Sequence, residues 1–322
     1  MSLPPSTAGS VVALTGGIGG AKLCLGLQRV LPAGSLSVIV NTADDFAHLG
    51  LRISPDLDTT LYTLAGLASP DRGWGRDDET WTFMRVLETL GGETWFRLGD
   101  GDLALHVERT RRLAAGESLS AFTADAARRL GVSTRILPMS DDAVRTIVST
   151  PEGDLSFQDY FVRARCEPAV RRLRFAGADR ARIAPGIDQA LGEARLRAII
   201  IAPSNPYLSI DPILALAGMR GALRASRVPI IAVSPIIGDA AVKGPTAKIM
   251  TELGLTPSPL TVAEHYDRLI DGFVLDACDA QLAPRLRLPV RVCDTLMSSL
   301  EDRERAAHCV LEFAATLHSR HA

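Results

Sequence analysis

"VVALTGGIGGAKL", Val11 to Leu23, decides how the rest of the chain is read. Its first five residues form an apolar run that predicts a strand buried on both faces, as in a parallel sheet. The run stops in Gly16, Gly17, Gly19 and Gly20. Residues 19–30 then place Leu23, Leu27 and Val30 on one face of a helix. A second apolar run, residues 36–40, ends in the polar tip "NTADD". Strand, glycine loop, helix and strand in this order make a βαβ unit of the nucleotide-binding kind. A phosphate accepts from backbone N–H groups at a helix N-terminus, provided no side chain stands in the way. Gly16, Gly17, Gly19 and Gly20 meet that condition, and Lys22 could add a positive charge.

The loop fits neither widespread fingerprint. A Walker A loop ends in Gly-Lys-Ser/Thr, whereas this one ends in Ala21-Lys22-Leu23. A GxGxxG pattern beginning at Gly17 would need glycine where Lys22 stands. The second strand also ends in Asn41, not in the acid that holds a ribose. This weakens a dinucleotide-dependent oxidoreductase. A non-catalytic nucleotide-binding regulator, the other rival, would need no acid cluster.

Strands recur late, within residues 197–206, 228–238, 271–277 and 288–295, with helices predicted over 210–225, 247–253 and 300–317. The alternation predicts an α/β, Rossmann-like, doubly wound and mostly parallel sheet. The middle differs. Residues 77–131 read as helical, and residues 143–162 as two strands around a Pro-Glu-Gly-Asp turn. The expected organisation is a disordered lead over 1–10 and a single domain over 11–322, with a helical and β-hairpin insertion or cap at about 72–190.

Composition narrows the class. The 322 residues are 47% hydrophobic but only 5% aromatic, so the core is aliphatic. A net charge of -2 gives no footprint for nucleic acid. The 5 cysteines are scattered without CxxC spacing, which reads as a reduced, cytoplasmic protein. No apolar run reaches the roughly 18 residues of a membrane span.

Ligands of open α/β sheets gather at the carboxyl ends of strands. Those ends here are the glycine loop, Asn41-Thr42-Ala43-Asp44-Asp45, Ser204-Asn205-Pro206 and Ser234-Pro235. Asp44, Asp45, Asp56 and Asp58 fall within fifteen residues, beside the proposed phosphate loop. Such a group suits Mg²⁺, which binds one or two carboxylates plus substrate phosphates. Asp56 and Asp58 could equally serve the start of a helix. His106 reads as a helix residue, Asp141 and Asp142 as turn or cap residues, and the arginines over 163–182 as a solvated face.

The segments "TGGIGGAKL", "NTADD", "ISPDLDTTLY", "RGWGRDDET", "RLGDGDLALH", "LPMSDD", "APSNPYLSI" and "VSPIIGDAAVKGP" occur in the order found in the 2-phospho-L-lactate transferase family. The chain resembles that family over roughly residues 11–299. The resemblance implies a Mg²⁺-dependent enzyme of coenzyme F-420 biosynthesis. Such an enzyme transfers a phospho-three-carbon acid from a guanosine-diphosphate-linked donor to the ribityl hydroxyl of the deazaflavin Fo, releasing GMP. It implies that Asp58 and Arg97 contact Fo, and that the glycine loop, Lys22, Ser204 and Asn205 lie on the nucleotide side. Asp58 and Asp45 are then the catalytic candidates, with Asp44, Asp45 and Asp58 as candidate metal ligands. A homodimer is expected by analogy. One departure is Gly101, where the family usually carries a larger residue, typically Arg, inside GDxD.

Overall fold

A computed structural model gives the fold and describes residues 9–69, 74–238, 240–241 and 245–321. Seven strands form the central sheet: β1 (Ser10–Thr15), β2 (Leu36–Val40), β3 (Arg135–Pro138), β4 (Leu196–Ile201), β5 (Ile230–Val233), β6 (Gly272–Asp276) and β7 (Val290–Cys293). Their order is β7-β6-β5-β4-β1-β2-β3, and every neighbouring pair is parallel. The winding reverses between β1 and β4. The doubly wound reading therefore holds, and it places the topological switch point beside the glycine loop.

Strand periodicity divides the core in two. Val11, Ala13, Ala198 and Ile200 face one layer, while Val12, Leu14, Ile199 and Ile201 face the other. The first layer is closed by α1 (Gly17–Val30), α2 (Pro55–Leu64) and the last helix, here α4 (Leu300–His321). Helix α1 supplies Leu23, Leu27 and Val30, as its period predicts. It lies so close to α4 that a Cβ at Gly26 would sit 2.1 Å from the Arg303 carbonyl oxygen. Tyr207, Met219, Leu223, Val262 and Tyr266 pack on the opposite layer.

Three expectations change. Residues 1–8 of the expected lead lie outside the described residues, and β1 already begins at Ser10. The helix expected over 210–225 is two pieces, Asp211–Leu214 and Met219–Ala225, because Gly218 adopts φ +83° between them. The insertion expected at about 72–190 is not one block, since β3 lies inside it as an edge strand of the main sheet. A four-residue edge strand has too little apolar pattern to read from sequence. Before β3 come helices Thr82–Thr89, α3 (Asp100–Ala114) and Leu119–Arg129. After it comes an antiparallel sheet of Gly153–Ser156, Arg145–Thr150 and Arg172–Ala176, which is the expected hairpin with a third strand added.

Candidate functional site

The glycine loop is shaped by its neighbours at the switch point. A Cβ at Gly20 would stand 1.9 Å from Thr15 Oγ1 and 2.3 Å from Ser204 Oγ. At Gly19 it would stand 2.6 Å from the Pro203 carbonyl oxygen, and at Gly16 2.5 Å from Asp56 Oδ2. Gly17 faces open space but adopts φ +67°, which opens α1. Gly19 and Gly20 therefore let the loop lie against the tip of β4, Gly16 leaves room for Asp56, and Gly17 supplies the bend. The Gly16 N–H donates to Ser204 Oγ at 3.2 Å, and the Gly17 N–H to Asp56 Oδ1 at 2.8 Å. The expected meeting of the loop with Ser204 is thus present. Asn205 uses its Oδ1 to accept from the N–H groups of Tyr207 and Leu208, and its Nδ2 is buried without a partner among the described residues. Lys22 Nζ donates to the Met297 carbonyl at 2.7 Å.

Asn41 organises the acids at the tip of β2. Its Nδ2 donates to Asp44 Oδ2 at 2.9 Å and to Asp56 Oδ2 at 3.0 Å. Asp44 and Asp56 thus converge one hydrogen bond from the glycine loop. Burial and the Asp56 charge push the Asp44 carboxyl well above its ordinary value. Burial likewise carries Asp56 up to about 6, against the hydrogen bonds from Asn41 and Gly17. At Asp44 the Thr146 and Asn41 side chains act in the opposite direction and favour the charged carboxylate. Asp45 points another way: its Oδ2 accepts from Ser54 Oγ at 2.7 Å. Burial pushes it up to about 7, against that hydrogen bond and the charges of Arg109 and Arg145.

Asp58 stands apart from this pair. Both of its oxygens accept from Arg109, Oδ2 at 3.1 Å from Nη1 and Oδ1 from Nη2. Asp58, expected among the metal ligands, has both carboxylate oxygens on the Arg109 guanidinium, and the carboxylate that shares Asn41 with Asp44 is that of Asp56. Asp102, His106 and Arg109 occupy one stripe of α3, and Asp58 and Tyr62 one stripe of α2. His106 Nδ1 lies 3.3 Å from Arg109 Nη1. Arginine only donates, so Nδ1 accepts and the proton sits on Nε2, 3.1 Å from Asp102 Oδ1. Tyr62 donates its hydroxyl to that same oxygen at 2.6 Å. Burial works to raise the Asp102 carboxyl, but His106, Tyr62 and Arg109 together hold it below its ordinary value. His106, 1% exposed, is thus a member of a buried network.

Arg97 is exposed, with its guanidinium over the Trp81 ring at 4.5 Å. No contact among the described residues joins it to Asp58. Asp141 and Asp142 tie distant segments to their loop, accepting from the Ser120 and Arg182 N–H groups. At Gly101, Glu79 closes the start of α3 by accepting from the Gly101 and Asp102 N–H groups, each at 2.7 Å. A cleft of about 90 Å³ opens beyond the tips of β2 and β3, lined by Thr42, Asp45, Arg52, Ser54, Ser140 and Arg145 among others.

Sequence reasoning missed Arg109, the pairing of Asp44 with Asp56, and Arg52 and Arg145. The signal for Arg109 was its spacing from Asp102 and His106, but it stands in "ERTRRL" among three arginines. Among the described residues no group of three His, Cys, Asp or Glu side chains is arranged to hold a metal unaided. Two carboxylates sharing an ion with substrate phosphates remain compatible with Asp44 and Asp56. No helix among the described residues is long and apolar enough to cross a membrane.

The fold and site have known relatives. Residues 11–288 match the family described as 2-phospho-L-lactate transferase CofD. A phosphoenolpyruvate transferase of Streptomyces coelicolor is 40% identical over 308 residues, covering 94% of this chain and 96% of its own. A 2-phospho-L-lactate transferase of Methanosarcina mazei is 39% identical over 305 residues, covering 94% and 99%. A crystal structure of a UPF0052 family protein from Bacillus halodurans superposes with a TM-score of 0.61 at 13% identity, over 94% of this chain and 98% of that one, which is a likeness of fold. With a family match running from β1 into the last strands, and relatives of this identity along nearly its whole length, the chain belongs to the 2-phospho-L-lactate transferase family and is a transferase.

Proposed function

We propose that this enzyme moves a phosphorylated three-carbon acid from a guanosine-diphosphate-linked donor to the terminal ribityl hydroxyl of Fo, releasing GMP, in coenzyme F-420 biosynthesis. The observation that carries this reading is the meeting of the glycine loop, Ser204 and the Asp44–Asp56 pair at the switch point. That crevice is where an open α/β sheet takes a nucleotide. Several relatives are named phosphoenolpyruvate transferases, which favours a phosphoenolpyruvyl donor for this chain.

In this reading the first turn of α1 receives the diphosphate through its N–H groups. Asp44 and Asp56 would hold Mg²⁺, a role that the convergence of their carboxylates on Asn41 beside the glycine loop fits. When bound, Mg²⁺ supplies charge neutralisation on the diphosphate, which makes GMP a better leaving group. Asp58 is assigned to the Fo side in this reading, and Arg109 holds its carboxylate in one orientation. A carboxylate so fixed can orient the attacking hydroxyl or accept its proton. Most of the rate enhancement comes from positioning and electrostatics, as for phosphoryl transfer generally. A cytoplasmic homodimer belongs to the same reading, and light scattering of the purified protein tests the dimer.

The test is direct. The enzyme is incubated with Fo, Mg²⁺ and, in separate reactions, the guanosine-diphosphate esters of phosphoenolpyruvate, phospholactate and phosphoglycerate type. GMP is quantified by chromatography and the product by mass. Release of GMP with Fo-dependent formation of a phosphodiester supports the reading, and the fastest donor identifies the acid. Absence of Fo-dependent GMP release with all three donors sinks it.

A further inference from the structure

The cleft beyond β2 and β3 carries charges the reaction scheme has not used. Arg52 and Arg145 both line it. Among the described residues no ion pair holds either guanidinium; Arg145 spends one N–H on the Val144 carbonyl at 2.6 Å. Burial pushes the Arg145 guanidinium below its ordinary value; Asp45 opposes this, and the positive charge of Arg52 adds to it. Two like charges turned into one concavity are stabilised by an anion between them. Thr42, only 3% exposed, also lines the cleft, and its Oγ1 has no hydrogen-bond partner among the described residues. It is a donor in place for the same anion.

Size and position say which anion. Pockets that take a drug-sized ligand run to about 300–1,000 Å³. The cleft, at about 90 Å³, is well below that range and suits a small acid better than a purine or a tricyclic ring. Its place in the chain of contacts is equally specific. Gly17 bonds to Asp56, Asp56 to Asn41, and Asn41 to Asp44. The next residue, Asp45, is on the cleft wall. A donor whose diphosphate rests on the glycine loop and the acid pair therefore extends its acid end toward Arg145. Guanidinium suits that end, because its planar fork matches a carboxylate.

We propose that Arg145, with Arg52 and Thr42, forms the subsite for the carboxylate of the three-carbon acid and so selects the donor by that group. This rests on the guanosine-donor reading above. Arg145 stands on the first strand of the inserted antiparallel sheet, so the insertion supplies donor selectivity while the main sheet supplies the nucleotide site. Asp45, bonded to Ser54, lines the same cleft within reach of the Arg145 charge, and a second anion beside its carboxylate is disfavoured.

The experiment uses three ligands and calorimetric titration of the full-length protein with Mg²⁺. The first is GDP. The second is the guanosine-diphosphate ester of lactate, linked through its hydroxyl. The third is the corresponding ester of propan-2-ol (alike except for a methyl in place of the carboxylate). The wild type is expected to bind the lactate ester at least about tenfold more tightly than the propanol ester. Arg145→Gln is expected to lose about tenfold to a hundredfold on the lactate ester, the range for a charged hydrogen-bonding contact. On GDP and the propanol ester its affinity should stay within about threefold, as other contacts hold those ligands. Arg52→Gln, at an exposed side chain that folding does not need, should show the same pattern with a smaller loss. Equal wild-type affinity for the two esters overturns the proposal. So does an equal loss on all three ligands, which would make the cleft a phosphate site. Failure of the wild type to bind GDP or either ester would instead strike the guanosine-donor reading itself.

Discussion

Asp58 and Arg109, 51 residues apart in the chain, meet as a buried two-point ion pair between α2 and α3. Arg109 is among the largest fully buried side chains of the protein. The pair ties the helical part of the insertion to the helix that leaves the β2 tip, and it fixes the carboxylate assigned to the acceptor.

Removing one member leaves the other buried and uncompensated. Arg109→Met is expected to lower stability by about 3–5 kcal/mol. Asp58→Asn combined with Arg109→Met should recover part of that loss, since neither charge then remains. Urea denaturation of the two single variants and the double variant measures the coupling. A double variant no more stable than Arg109→Met would show that the pair is not the source of the effect.

Asp58→Asn separates chemistry from architecture. Asn keeps the shape and an acceptor for Arg109 but removes the charge. If the carboxylate orients or deprotonates the Fo hydroxyl, turnover should fall by about 10²–10⁴. GMP release is measured with saturating substrates well below the melting temperature. Turnover near the wild-type value would leave Asp58 a purely structural partner of Arg109.

The glycines of the loop should respond unequally. Gly20→Ala sets a methyl 1.9 Å from Thr15 Oγ1, so the loop must lift from the tip of β4. Overpacking of this kind costs about 1–3 kcal/mol, and donor affinity should fall with it. Gly17→Ala meets no neighbour within 4 Å and carries only the strain of its positive φ, roughly 1 kcal/mol. Thermal melts and GDP titrations of the two variants should rank them in that order for both properties.

Asp56→Asn should act on the metal requirement. The substitution preserves an acceptor for the Gly17 N–H while removing one of the two carboxylates beside the loop. The Mg²⁺ concentration for half-maximal GMP release should rise by roughly tenfold, equivalent to about 1.4 kcal/mol of lost binding. The same Mg²⁺ titration on Lys22→Met should match the wild type, because Lys22 is committed to the Met297 carbonyl. A shift in Lys22→Met equal to that in Asp56→Asn would place the lysine at the phosphates after all.

The strands and the glycine loop were legible because parallel strands buried on both faces write themselves as apolar runs such as "VVALT" and "AIII". The strand β3 was not legible, since an edge strand of Arg135-Ile136-Leu137-Pro138 carries little pattern. At the site, the switch-point residues could be found from the ends of the strands. Their partners could not. Which of four neighbouring aspartates face one another depends on how the chain turns between Asn41 and the start of α2. Arg109 pairs with Asp58 only because two helices distant in sequence are packed together, and no local spacing records that. Lys22 shows a further long-range contact that no local spacing records, its Nζ donating to the Met297 carbonyl.

The contact between α1 and the last helix has a bearing on how the protein is made. Gly26 lies against the Arg303 backbone, Lys22 holds Met297, and Arg29 pairs with Glu304 at 3.2 Å. The helix that carries the glycine loop thus leaves the ribosome well before the helix that covers it. Until residues near 317 emerge, Leu23 and Leu27 have no cover from Val310 and Leu311. The crevice beside the glycine loop is therefore incomplete in a growing chain until α4 has emerged, and an emerging chain exposes an apolar helix face that invites chaperone capture.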